Sequence, residues 1–279
     1  MAMARGSRLV LAGAALLWLG YNKLRIMRCR FMPRRDPCRP YEEFNVTTAD
    51  GLSIAVRRIV GGPRGAVVVA HPAVTGQRYA PLVDLAEMLS EYYDVFTFDF
   101  RGHGGSEGRL ELSLTGPLDD MRAVVSWIKE AGYRWVGAVG FSLGGMAAFV
   151  YAASFPGLDA VITVGAPPSL PDIEQYRRIL PLWSMFVRLL GARFRAAGEG
   201  GSLPANVAGF FPDVPLLVVH GGSEAFYSRD ELDEMLAKLG ERAELLVIEG
   251  AGHTELAGRE RELIDWLLAK SPGVDGAGK

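Results

Sequence analysis

Two cysteines in 279 residues, Cys29 and Cys38, are too few for a disulfide framework. Their spacing fits no zinc pattern and no histidine lies near them. The chain has four histidines, His71, His103, His220 and His253, and no His/Cys/carboxylate cluster at ligand spacing, so no metal and no cofactor is expected. There is no internal repeat and no low-complexity block. The body also lacks net positive charge. Of 30 Lys/Arg, nine lie in the first 40 residues beside a single acid, Asp36, which leaves 21 bases against 31 acids in the remainder. Phosphate binding relies on Lys/Arg neutralisation, so a nucleic-acid partner is not expected.

The apolar run Leu9–Tyr21 (LVLAGAALLWLGY) falls short of the ~20 residues that span a bilayer comfortably. Arg5 and Arg8 precede it, Lys23, Arg25 and Arg28 follow at once, and no convincing small-residue cleavage site intervenes. Snorkelling of the flanking Lys and Arg extends the apolar stretch to roughly Ile26. Residues 1–39 are therefore read as a hydrophobic anchor with a basic linker. The heavier charge after the run puts the body on the cytoplasmic side of a membrane. The alternatives are an amphipathic helix packed on the body or a plain tail, with the protein soluble in the cytoplasm.

What the chain does have is 49% hydrophobic residues, enough to bury a sizeable core in one large α/β domain. After Pro40, short apolar strands alternate with helical stretches, which predicts a mostly parallel sheet of eight strands with helices on both faces. Phe44–Thr48 and Leu52–Ile59 flank Ala49-Asp50-Gly51 as a hairpin. Further strands are expected at Ala66–Ala70, Val95–Phe100, Trp135–Phe141, Ala160–Val164, Leu216–Val219 and Leu245–Ile248. Helices are expected at Ala80–Tyr92, Leu118–Ala131, Leu143–Ser154, Arg229–Leu239 and Leu256–Lys270. Asp119 and Asp120 would sit in the first turn of theirs, where acids favour the dipole. From Pro167 to Pro215 the rhythm breaks. A structureless loop of that length is improbable, so about 168–213 reads as a small helical lid insertion in a domain spanning 40–270. The Gly-rich end, 271–279, reads as a loose tail.

Gly140-Phe141-Ser142-Leu143-Gly144 matches G-x-S-x-G, with an apolar strand leading in and a small-residue helix leading out. A sharp turn there exposes the serine hydroxyl on a strained backbone. A serine hydroxyl is a weak nucleophile and needs a base, which in turn needs an orienting acid. His253, in Glu249-Gly250-Ala251-Gly252-His253 after the last strand, is the candidate base. Glu224, in HGGSE past the strand ending at His220, is the candidate acid; Asp230 competes but also reads as a first-turn helix acid. The loop Arg101-Gly102-His103-Gly104-Gly105 is not a dinucleotide fingerprint, because Glu107 stands where the third glycine is required. It reads as turn structure.

Taken together, VVVAHPAVTG, DFRGHGGSEG, GFSLGG, VVHGGSE and EGAGHTE resemble the α/β-hydrolase superfamily, in its monoacylglycerol-lipase and serine-peptidase-like branch, over roughly Phe44 to Lys270. The resemblance implies a serine hydrolase that cleaves carboxylic esters through an acyl-enzyme. It also implies an oxyanion hole made by backbone N–H groups. Where a His-Gly pair is usual, this chain has His71-Pro72, and proline has no N–H to give. The first donor is then Ala73 or Val74, with the resemblance pointing to Ala73; the second is Leu143. The lid carries a surplus of apolar side chains, of which Trp183 and Phe186 are candidates to line an acyl pocket. The expected substrate is a small-molecule acyl ester. A thioesterase or acyltransferase on the same three residues, and a non-catalytic binding protein that kept the fold, are the rival readings.

Overall fold

The computed structural model describes residues 33–73, 75–109, 114–170 and 203–273. The apolar run at 9–21 and most of the expected lid, Trp183 and Phe186 included, lie outside those residues. Among the described residues no helix is long and apolar enough to cross a membrane.

The strands are β1 (Tyr41–Thr47), β2 (Ser53–Ile59), β3 (Ala66–Ala70), β4 (Asp94–Phe98), β5 (Val136–Phe141), β6 (Ala160–Val164), β7 (Leu216–Gly221) and β8 (Ala243–Ile248). They form one sheet in the order β1-β2-β4-β3-β5-β6-β7-β8. β1 pairs antiparallel with β2, and β2 antiparallel with β4; every later pairing is parallel. Parallel neighbours need crossovers, and the helices supply them. These are α1 (Ala80–Leu89), α2 (Thr115–Glu130), α3 (Leu143–Ser154), the short α4 (Pro204–Val207), α5 (Arg229–Leu239) and α6 (Glu260–Lys270).

The strand period of two divides the core cleanly. Ala66, Val68 and Ala70 of β3 join a cluster with Met121, Val124 and Ile128 of α2, Ala147 and Val150 of α3, and Leu232 of α5. Val67 and Val69 point the other way, to Leu82, Leu85 and Leu89 of α1 and Leu263 and Leu267 of α6. Helices therefore cover both faces, as the all-apolar sequence AVVVA of a doubly buried strand requires. Because β3 and β5 to β8 run parallel, their carboxyl ends share one edge, and the loops that carry Ala73, Ser142, Glu224 and His253 emerge there.

Three expectations need correction. The helix placed at Leu256–Lys270 begins only at Glu260, because Ala257 and Gly258 take positive φ (49° and 84°) and cannot continue a helical turn. α1 ends at Leu89 rather than Tyr92. α2 starts at Thr115, so Asp120 lies beyond its first turn and has another role. Its carboxylate is fully buried and accepts from the Arg101 N–H at 2.8 Å and the Arg101 Nε at 2.9 Å. Arg101 also donates to Asp50 in the β1–β2 turn at 3.0 Å. One guanidinium thus ties the β1–β2 turn and the β4 loop to α2. Burial pushes the Asp120 carboxyl up, and the Arg101 contacts oppose it.

Replacing one partner of a buried ion pair strands the other charge. Asp120→Leu should lower the unfolding free energy by about 3 kcal/mol in urea titrations. Adding Arg101→Met should recover part of that loss, since the stranded charge is then gone.

Candidate active site

The site is built on a tight approach between strand and helix. β5 ends at Phe141 and α3 begins at Leu143, so Ser142 alone makes the turn, at φ 49° and ψ −112°. That is a conformation side chains rarely adopt. A Cβ on Gly140 would collide with the Gly144 carbonyl, and one on Gly144 would collide with the Ala70 carbonyl. Glycine at both positions lets α3 sit directly on β5 and β3. The turn is pinned at both sides: the Ser142 N–H donates to Val164 O at 2.8 Å, and Met146 N–H donates to Ser142 O at 2.9 Å.

His253 lies in the loop after β8. Its Nε2 is 2.8 Å from Ser142 Oγ, and its Nδ1 is 2.7 Å from Glu224 Oε2. Glu224 lies in the loop after β7, with its side chain 2% exposed. Its other oxygen, Oε1, accepts from the Ala225 and Phe226 N–H groups, both at 2.8 Å. Burial alone would raise this carboxyl. The His253 hydrogen bond and charge, with the two amides, outweigh burial and hold it below its ordinary value. It is therefore an acceptor on both oxygens at neutral pH. Asp230 is exposed on the first turn of α5, and the imidazole Nδ1 is bonded to Glu224 instead.

The imidazole is also held by packing. The Phe226 ring lies 4.2 Å from it, centroid to centroid, and Tyr227 meets it edge-on at 6.4 Å. His220, near the end of β7, is buried and bonded to the Tyr227 hydroxyl at 3.1 Å. Burial lowers its pKa and raises that of Tyr227. Phe226 and Tyr227 were not singled out in the sequence. Their only signal was position, two and three residues after the candidate acid.

Leu143 opens α3, so its N–H is among the first-turn donors without an intrahelical partner, at the positive end of the helix. Ala73 follows β3, whose last residue, Ala70, abuts Gly144; Val74 lies outside the described residues. The loop leading to Ala73 is pinned by His71. That imidazole accepts from the Phe100 N–H on Nε2 at 3.0 Å, so Nδ1 carries the hydrogen and donates to Pro72 O at 2.7 Å. Complete burial, reinforced by the neighbouring His103, drives its pKa down to about 3. It is a neutral structural group. His103 packs against it at 4.8 Å, within the loop read as turn structure. Among the described residues no group of three or more His, Cys, Asp or Glu could hold a metal ion.

One further position controls the histidine. Gly165, just past β6, has φ 56°, and a Cβ there would collide with the His253 carbonyl. Gly165→Ala should push the His253 loop outward and part the imidazole from Ser142. The expected readout is labelling of Ser142 by a fluorophosphonate slowed at least about tenfold, with circular dichroism unchanged.

Comparison with known proteins places this geometry. The family model described as the alpha/beta hydrolase fold matches residues 66–186. Among solved structures, an esterase from Pyrococcus furiosus superposes with a TM-score of 0.69 at 20% identity, covering 84% of this chain and 99% of its own. An α/β hydrolase from a Penicillium species gives 0.67 at 18% identity, covering 85% and 99%. An α/β serine hydrolase without lid from Xanthomonas campestris gives 0.62 at 18% identity, covering 85% and 98%. A search of curated proteins found no match. With the sheet order and the Ser142 turn, these matches make the chain an α/β hydrolase in fold.

Proposed function

We propose that this chain hydrolyses carboxylic esters through an acyl-enzyme on Ser142, with His253 as general base and Glu224 as its orienting acid. The observation that carries the reading is the continuous hydrogen-bonded line from Ser142 Oγ through His253 to Glu224, at 2.8 and 2.7 Å, on a serine held at positive φ. The name of the Pyrococcus furiosus esterase agrees with it.

In the first half-reaction Ser142 Oγ attacks the ester carbonyl and its proton passes to His253 Nε2. The carbonyl electron pair moves onto oxygen, where the N–H groups of Leu143 and Ala73 hold it. Glu224 keeps the hydrogen on Nδ1 and balances the imidazolium without taking its proton. Collapse of the tetrahedral species breaks the ester C–O bond, and His253 returns the proton to the departing alcohol. Water then attacks the acyl-enzyme by the same route and frees Ser142. Thioesters or alcohol acceptors would use the same steps, so product analysis with added alcohol or thiol separates a transferase from a hydrolase.

Ser142→Ala and His253→Ala should each lower kcat by several powers of ten while leaving the thermal transition in place. Glu224→Ala should cost far more than Asp230→Ala. Near-wild-type turnover in pure Ser142→Ala protein would defeat the reading, and the opposite order for the two acids would move the acid to Asp230.

The apolar stretch with Trp183 and Phe186 supports an acyl chain as the group bound over Ser142. Each methylene buried there contributes about 0.8 kcal/mol. Catalytic efficiency should therefore climb from acetyl toward medium-chain esters, several-fold per methylene at most, until the pocket is full. Trp183→Ala or Phe186→Ala should flatten that slope and spare acetyl esters. A profile that peaks at acetyl would refute the acyl pocket.

The run Leu9–Tyr21, with Lys23, Arg25 and Arg28 after it, supports attachment to a membrane with the body on the cytoplasmic side. The full chain should then stay with membranes through alkaline carbonate extraction. Recovery in the soluble fraction would contradict attachment.

A further inference from the structure

The segment ahead of β1 reads in the sequence as a linker, yet it is seated against the loops of the site. Pro33 O accepts from the Ala80 N–H at 2.8 Å, and the Arg35 N–H donates to Arg78 O at 3.0 Å. Arg34 and Tyr79 form an antiparallel bridge between these two bonds. Burial raises the Tyr79 phenol's pKa, and the side chain of Thr254, the neighbour of His253, opposes that shift. The stretch at 33–35 therefore rests on residues that reach the histidine loop.

From that seat Arg34 Nη2 donates to Thr75 O at 2.7 Å. On the same turn Asp99 Oδ1 accepts from the Gln77 N–H, also at 2.7 Å. A Cβ on Gly76 would meet Asp99 Oδ1 at 2.8 Å and Arg34 Nη2 at 3.5 Å, so this glycine lies between the two charges. Thr75 Oγ1 donates to Pro72 O at 2.8 Å, the same carbonyl that receives the His71 hydrogen. The Pro72–Ala73 peptide, which carries the Ala73 N–H, is thus held at its carbonyl by His71 from within the body and by Thr75, whose own carbonyl is held by a guanidinium from outside β1.

We infer that Arg34 is a positioning residue for the loop that carries the Ala73 N–H, so that the segment 33–35 belongs to the support of the active site. The kinetic part of this inference rests on the ester-hydrolase reading; the structural part does not. Proline at position 72 removes one backbone donor from this loop and leaves the direction of the next N–H decisive. A donor misplaced by ~1 Å forfeits much of its effect on a developing oxyanion. Arg34 is itself exposed, so water replaces its bond in part and global stability depends little on it.

The test uses the full chain with Arg34→Ala and Arg34→Lys. Hydrogen exchange is followed by mass spectrometry, and hydrolysis with p-nitrophenyl butyrate. Arg34→Ala should speed exchange several-fold in peptides covering 73–77 while the sheet strands keep wild-type protection. It should also lower kcat by about tenfold with KM within about twofold. Arg34→Lys, whose ammonium can still donate to Thr75 O, should restore much of both. Unchanged exchange at 73–77 overturns the inference, as does faster exchange spread over the whole body. Faster local exchange with wild-type kcat also overturns it, since the loop is then not limiting. If the wild-type chain neither cleaves esters nor takes a fluorophosphonate on Ser142, the hydrolase reading fails. The exchange result then still decides whether Arg34 orders the loop.

Discussion

A backbone turn that costs energy underlies the rest of the site. Ser142 at φ 49° stands in a region that costs of order 1–3 kcal/mol and persists only where its surroundings over-determine it. Here they do. Ten of the twelve residues of α3 are buried, and its first turn lies against β5 and β3 through Gly140, Gly144 and the Ala70 carbonyl. Moving Ser142 to a relaxed conformation would tilt α3 away from two strands and open the core on that face. The packing of the helix therefore holds the hydroxyl at the carboxyl edge of the sheet.

The same edge gathers groups that are far apart in the chain. His253 is 29 residues from Glu224 and 111 from Ser142, and no local periodicity links them. Parallel strands bring them together because every loop after β5, β7 and β8 leaves in one direction. Electrostatics then differentiates the groups. Glu224 is buried but held by three hydrogen bonds that keep its pKa low; His71 is kept neutral by complete burial and the neighbouring His103, which outweigh Asp99. Two imidazoles at one edge thus differ in setting, one bonded between Ser142 and Glu224 and one holding a loop.

The basic head is less separate from the body than its charge pattern implies. Arg35 faces Asp84 and Glu87 on α1, Arg39 faces Glu91, and Asp36 faces Arg57 and Arg78. Most of these pairs are partly exposed and individually weak. Together with the backbone bonds of Pro33 and Arg35, they seat residues 33–39 on α1 and on the loop before it. Positive charge that reads as a membrane-facing linker is in this stretch spent on carboxylates of the domain itself.

The strand–helix alternation, the buried AVVVA strand, the glycines around Ser142 and the placing of Glu224 and His253 in loops after strands were legible in the sequence. Each is a local signal, a period or a steric requirement carried by adjacent residues. Asp120 was misread because its neighbourhood looks like any helix start; only the fold brings Arg101 against it. Gly165, Phe226 and Arg34 escaped notice for the same reason, since what each contacts comes from a distant part of the chain. The sequence by itself determined the class of fold and pointed to the candidate groups of the site, because both follow from short-range pattern. The tertiary structure decided which groups meet, at what distance, and which ionise. Those depend on long-range packing and on the local dielectric, and neither is written in any one segment.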